Sequence, residues 1–245
     1  MKHSRLSWGI VALIVLITMA ISFGPSLTHS QQETSKQRDL TKYPVTDVDV
    51  PEPSNPVERE KKREKDKRYD KAPFVILNPR PEFTWSTLYD SEPVPESAFP
   101  YKQSKLVITG VILGSKALMS NNKGAVYSEY SVQIESIISQ DKGRELQVGQ
   151  LVDVDRAGGR VRYPNGAIIL YRNSWQDLPE PNERYLFFLD TEDRKNPNYK
   201  LVTAYRLKDE DVSALDRGAK FQEHNKRKKS EFMKLVKDAE KDNEK

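Results

Sequence analysis

The chain has 245 residues, of which 36% are hydrophobic and 31% charged, a composition too polar for the whole chain to belong to a packed core. Lys and Arg exceed Asp and Glu by only 40 to 36, too thin an excess to indicate a dedicated nucleic-acid-binding protein. The absence of cysteine excludes disulfides, thiolate metal sites and cysteine nucleophiles.

Residues 1–30 predict a membrane anchor or a signal peptide. Lys2 and Arg5 precede residues 8–23 (WGIVALIVLITMAISF), an apolar run whose length lies between that of a signal-peptide core and that of a membrane span. We expect a membrane-anchored protein with a cytoplasmic N-terminus and the bulk of the chain outside the cytoplasm, in the periplasm or on the cell surface. The alternative is secretion after cleavage near Ser30.

Proline and glycine divide the next part of the chain. Ten of the 15 prolines lie between positions 44 and 100, whereas eight of the 11 glycines lie between positions 110 and 166. Residues 31–72 therefore predict a disordered, proline-rich and charged stalk, since 13 of the 14 residues in 58–71 are charged. Residues 73–100 combine proline with many aromatic side chains and predict an ordered segment that wraps the following domain.

Residues 101–207 predict a mostly β domain built from short strands that close into a small barrel. In residues 126–134 the side chains alternate, which predicts a strand whose buried face carries Val126, Ser128, Tyr130, Val132 and Ile134. Residues 185–189 (YLFFL) predict a central strand that is covered on both faces. In residues 146–155, Val152 and Val154 are expected to point inward and Asp153 and Asp155 outward.

A resemblance accompanies this succession of strands. The segments LVITGVIL, EYSVQIESIIS, LQVGQLVDVDRAGG, NERYLFFLD and YKLVTAYRL are similar to the netrin-like fold, an OB-type barrel, as found in poorly characterised exported bacterial proteins. Tissue inhibitors of metalloproteinases also carry this fold, and they bind the zinc of a protease through an N-terminal cysteine. This chain has no cysteine, so the resemblance implies the architecture and protein binding without implying inhibition.

The candidate ligand-binding surface lies on a hairpin in residues 160–172 (RVRYPNGAIILYR). Asn165-Gly166 favours a two-residue type I′ turn. With that turn, one face of the hairpin lines the core through Val161, Tyr163, Ile168 and Leu170. The opposite face carries the predicted ligand-binding residues Arg160, Arg162, Ile169 and Tyr171, which suit carboxylate or phosphate groups and stacking on a sugar or peptide. The alternative is ordinary solubilising decoration of an exposed sheet face.

The residue inventory limits catalysis in the β domain. The three histidines, His3, His29 and His224, all lie outside residues 101–207, which excludes histidine-based triads, bases and zinc sites there. No cofactor or metal is expected. Carboxylates remain as candidates for a small envelope hydrolase or for calcium binding, namely Asp153, Asp155, Asp190, Glu192 and Asp193.

These observations predict a non-enzymatic, membrane-tethered extracytoplasmic module for binding or scaffolding, with a protein or an anionic envelope component as its partner. One alternative is a small envelope hydrolase that uses strand-end carboxylates. A second alternative is an OB-type nucleic-acid binder, against which export from the cytoplasm counts.

Residues 208–245 predict a charged C-terminal helix. Phe232, Leu235, Val236 and Ala239 recur at helical spacing, with acidic residues before them and lysines towards the end. We expect a helix over about residues 209–240, broken near Gly218, whose first part packs on the barrel.

Overall fold

A computed structural model describes residues 39–71, 73–76, 78–80, 86–89, 93–142, 145–191 and 198–243. The predicted membrane anchor in residues 8–23 lies outside the described residues. None of the helices found in the described ranges is both long and apolar enough to span a bilayer.

The described residues form mostly strands, as predicted, with three helices. The helices are α1 (Pro56–Asp66), α2 (Ala219–Gln222) and α3 (Lys229–Asn243), and short 3-10 helices span Leu40–Lys42 and Tyr101–Gln103. The strands are β1 (Val45–Asp47), β2 (Ser86–Tyr89), β3 (Leu106–Met119), β4 (Val126–Gln140), β5 (Leu151–Ala157), β6 (Gly159–Arg162), β7 (Ile168–Asn173), β8 (Arg184–Asp190), β9 (Tyr199–Lys208) and β10 (Asp211–Ala214).

Five strands close into a barrel, which confirms the prediction of a small barrel. The strands follow one another around it as β9, β5, β4, β3 and β8, and β8 then pairs with β9 to complete the ring. Neighbouring strands are antiparallel except β5 and β9, which are parallel over two residue pairs. Each of the five strands therefore has a hydrogen-bonded neighbour on both sides over part of its length.

The barrel interior is filled by the side chains that the alternation predicted. Every residue assigned to the buried face of β4 is buried, and β8 is buried from Tyr185 to Leu189 between β3 and β9. The main core cluster contains the inward side chains of all five strands, among them Ile108, Tyr130, Val154, Phe187 and Leu201.

A second sheet of order β1-β6-β7-β2 packs beside the β3–β4 hairpin. The parallel strands β1 and β2 flank the β6–β7 hairpin, so segments from the N-terminal part of the chain form both edges. Phe74 stacks on Tyr89 with ring centroids 3.6 Å apart, and its backbone N–H donates to the Gly124 carbonyl at 2.7 Å. The described parts of residues 73–100 thus lie against the barrel and the second sheet.

Helix α1 differs from the stalk that the charge run predicted. Asn55 caps the helix by accepting a hydrogen bond from the Val57 N–H at 2.9 Å, and Pro56 occupies its first position. Lys65 and Asp66 are buried against the barrel, so the charged run is partly an inner surface. Ion pairing with the barrel explains the difference, because charged residues can be buried when each finds a partner.

The C-terminal segment differs from the helix expected over about residues 209–240 with a break near Gly218, because residues 211–214 form strand β10 and the helices lie after Gly218. Strand β9 pairs with β5 only at residues 199–200. Strand β10 pairs with the same edge of β9 at residues 205–208 and so provides hydrogen-bond partners for the backbone of β9 there. The helical periodicity is correct for α3, where Phe232 and Val236 are fully buried. His224 lies beside this helix, buried among aromatic rings, and stacks on Phe99 at 4.9 Å.

Candidate functional site

The β6–β7 hairpin turns through three residues, and the prediction of a two-residue turn is wrong. The Gly166 N–H donates to the Tyr163 carbonyl at 2.9 Å, and the Tyr163 N–H donates to the Ala167 carbonyl at 2.9 Å. Gly166 has a φ of 87°, the left-handed conformation that ends a three-residue hairpin loop. The additional loop residue moves the strand pairing by one position.

This change of register separates the four predicted ligand-binding residues. In the strand register, Val161 lies opposite Ile169 and Gly159 lies opposite Tyr171. Ile169 and Tyr171 therefore lie on the same face of the hairpin as Val161, which is the core face. Ile169 is 2% exposed and Tyr171 fully buried, and both pack with Tyr163. The prediction that Ile169 and Tyr171 share an outer patch with the two arginines is therefore wrong, because a one-residue slip exchanges the faces of a strand.

Arg160 and Arg162 stay on the outer side, where both hold the N-terminal segment. The Arg160 guanidinium donates to the carbonyl oxygens of Thr41 and Tyr43, each at 3.3 Å. Arg162 pairs with Asp47 on β1 at 3.3 Å, and about half of each side chain is exposed. These contacts fasten β1 beside β6.

The outer face of β4 and β5 is covered by α1 through ion pairs. Lys65 pairs with Glu129, which also accepts from the Lys116 ammonium at 2.7 Å, and Lys62 pairs with Asp66 within the helix. Burial opposes the ionisation of Glu129, but the ammonium groups of Lys65 and Lys116 outweigh it and lower the pKa of this carboxyl. Glu129 is therefore a stable anionic anchor for the helix at neutral pH.

Two stacked tyrosines complete this contact. The rings of Tyr69 and Tyr127 are nearly parallel, with centroids 4.2 Å apart. The Tyr69 hydroxyl donates to Asp155 at 2.6 Å, and the Tyr127 hydroxyl donates to Asp66 at 2.7 Å. Burial raises the pKa of both phenols, and the adjacent carboxylates raise it further, so both hydroxyls remain protonated donors.

The carboxylates considered for hydrolysis have different surroundings. Asp155 points outward from the barrel, as predicted, but it is only 1% exposed because Tyr69 covers it. Burial raises the pKa of Asp155. In the strand register, Lys200 on β9 lies opposite Asp155 on β5 and, on its other side, opposite Asp190 on β8. The backbone of Lys200 therefore stands between those of the two aspartates. Asp153 is partly exposed, while Glu192 and Asp193 lie outside the described residues.

Arg156 and Asp216 form a buried ion pair that the sequence did not reveal. Their nitrogen and oxygen atoms lie 2.8 Å apart, and both side chains are at most 1% exposed. Arg156 also donates to the Asp177 carbonyl at 2.8 Å, while the Asp177 N–H donates to Asp216 at 3.2 Å. The partners lie 60 positions apart in the sequence, and no local pattern predicts this contact.

A groove of about 360 Å³ lies beside Trp175, and no pattern in the sequence indicates it. It is lined by residues from five segments, which include Pro95, Lys102, Lys105, Trp175, Gln176, Asp190 and Lys200. Trp175 forms part of the wall of this groove, and its ring stacks on that of the buried Phe221, with ring centroids 6.3 Å apart. The contributing segments are distant in sequence, so only the folded chain brings them together.

A scan against protein-family models finds no match to this chain, and a search of curated proteins finds none either.

Proposed function

We propose that the chain is a non-enzymatic binding module with an OB-type, netrin-like barrel, tethered outside the cytoplasm by residues 8–23. The strand order supports the assignment of the barrel. With the five barrel strands numbered along the chain, the ring reads 1-2-3-5-4 and closes on 1, with strands 3 and 5 parallel. An OB-fold is a five-stranded Greek-key barrel of this kind.

The ligand of this module binds away from β4 and β5. In OB-folds, ligands commonly bind the outer face of the second and third strands, which are β4 and β5 here. Helix α1 already covers this face, with Lys65 buried on Glu129 and Tyr69 bonded to Asp155. A ligand on that face would have to replace several buried charge contacts, whereas other surfaces need no such exchange.

The burial of Asp155 is the observation that carries the non-enzymatic role. A carboxylate hydrolase needs two carboxyl groups in an open cleft, about 5–10 Å apart on either side of the bond to be cleaved. Asp155 is sealed under Tyr69, and Lys200 lies between it and Asp190 in the strand ladder. This arrangement supports a structural use of the carboxylates and a partner that is a protein or an anionic envelope component.

Co-sedimentation with an insoluble envelope polymer tests the binding function. The full chain, purified in detergent, is mixed with isolated peptidoglycan sacculi and centrifuged, and the pelleted fraction is measured against protein concentration. In parallel, the tagged chain is purified from membranes and its co-purifying components are identified. We expect saturable pelleting or a stoichiometric protein partner, and the absence of both would reject the binding module.

The same mixture separates a binding module from a hydrolase. We expect no growth of soluble sugar fragments with time, and we expect Asp153→Asn to pellet like the unmodified chain. Steady release of fragments by the unmodified chain that Asp153→Asn or Asp190→Asn abolishes would establish the hydrolase instead.

A further inference from the structure

The groove beside Trp175 combines charges and polar groups in the way that small-ligand sites do. Its volume of about 360 Å³ falls within the range of about 300–1,000 Å³ that is typical of such sites. Pro95 and Trp175 provide apolar wall, and Lys102 and Lys105 also line the groove. Within the described ranges, neither of these two ammonium groups has an ion-pair partner.

Gln176 provides a second and independent indication of a ligand. It is only 5% exposed and lines the groove, and its side-chain carboxamide has no hydrogen-bond partner among the residues that the structure describes. Such a group carries two donors and an acceptor, and its polar atoms are not fully enclosed, so a molecule in the groove can reach them. A ligand with hydroxyl groups would bond to them in place of water.

Asp190 narrows the chemistry of the ligand further. Its carboxylate lines the same groove as Lys102 and Lys105. A carboxylate accepts hydrogen bonds from hydroxyl groups but repels a dense negative charge such as a phosphate dianion. The groove therefore suits one carboxylate at the lysines, hydroxyl groups at Gln176 and Asp190, and an apolar ring face at Trp175.

We propose that this groove binds a sugar acid, that is, a sugar ring that carries a carboxylate. The larger cleft beside α1 is a weaker candidate, because Glu60 and Glu64 alternate there with its lysines. The assignment rests on the proposed binding function and specifies its ligand: an anionic envelope glycan would be held through its acidic sugar units.

Ligand-observed NMR tests the assignment with defined probes. The full chain in detergent is titrated with digalacturonate, with maltose as an uncharged disaccharide, and with inorganic phosphate, and dissociation constants are obtained from saturation transfer. We expect digalacturonate to bind at least tenfold more tightly than either of the others. Maltose binding as tightly as digalacturonate, phosphate binding more tightly, or digalacturonate not binding at all would each overturn the proposal.

Variants locate the binding in the groove. Lys102→Ala with Lys105→Ala should raise the digalacturonate dissociation constant at least tenfold, while the matched exposed pair Lys208→Ala with Lys237→Ala should leave it unchanged. Gln176→Leu should raise it several-fold, and melting temperatures verify that each variant is folded. Equal effects of the two lysine pairs would overturn the site. If digalacturonate fails while sacculi still pellet the chain, the binding module stands and only its ligand assignment falls.

Discussion

Replacing Asp216 by Asn should destabilise the protein strongly, because it leaves the Arg156 guanidinium buried without a counter-charge. The two side chains are at most 1% exposed, and their charged atoms lie 2.8 Å apart. If Asn keeps the hydrogen bond from the Asp177 N–H, its side-chain NH2 faces the Arg156 guanidinium, so the substitution removes both the counter-charge and the acceptor for Arg156. Removing one partner of a buried ion pair costs about 3–5 kcal/mol.

That free energy is a large part of the stability of an ordinary domain, about 5–15 kcal/mol. At roughly 2–4 °C per kcal/mol for a folded unit of this size, the melting temperature should fall by about 6–20 °C. Urea unfolding at pH 7, followed by circular dichroism, measures the free-energy change. The exposed pair of Arg162 and Asp47 provides the control, since Asp47→Asn should cost less than about 1 kcal/mol.

A double-mutant cycle tests the cause of the loss. Arg156→Met combined with Asp216→Asn removes both charges, so the double variant should be more stable than the sum of the two single losses predicts. If Asp216→Asn lowered the free energy of unfolding by less than about 1 kcal/mol, or if the two single losses were strictly additive, the ion pair of Arg156 and Asp216 would not be the source of this stability.

Lys65→Met should lower the free energy of unfolding by about 1–3 kcal/mol, because it leaves the buried Glu129 carboxylate with one cation fewer. Lys67→Met, at the exposed residue that follows α1, should change it by less than about 0.5 kcal/mol in urea unfolding, and equal losses would contradict the packing of α1. Gly166→Ala should lower the free energy of unfolding by about 1–2 kcal/mol, because Gly166 has a φ of 87°, whereas Gly114→Ala, in open space within β3, should leave it unchanged or raise it by about 0.5 kcal/mol. Calorimetry that finds Gly114→Ala to be the more damaging of the two would contradict the left-handed conformation of Gly166. Burial among aromatic rings lowers the pKa of His224 in the folded protein, so as the pH falls the unfolded chain binds a proton at this residue before the folded chain does. The free energy of unfolding should therefore decrease below about pH 6.5, by up to about 1 kcal/mol per pH unit, until the pH reaches the folded pKa. His224→Leu should reduce this slope in urea unfolding at several pH values, and an unchanged slope would contradict the prediction.

Local patterns in the sequence are enough to predict the type and position of most of the strands and of helix α3. Alternation along residues 126–134 identified the buried face of β4, and the continuous apolar run at 185–189 identified a central strand, because a strand repeats every two residues wherever one face is buried. The spacing of Phe232 and Val236 likewise marked the buried face of α3. These features depend on neighbours within a few residues, so local sequence carries them.

Which residues of different segments contact one another depends on the folded chain. Asn165-Gly166 is compatible with hairpin loops of two or three residues, and the shift to three residues buries Ile169 and Tyr171, which pack with Tyr163. Asp155 is buried because Tyr69 reaches it from 86 positions earlier in the chain. Residues 211–214 are a strand because an edge of β9 needs hydrogen-bond partners there. Each outcome depends on contacts between segments far apart in sequence, and no periodicity within a single segment encodes such contacts.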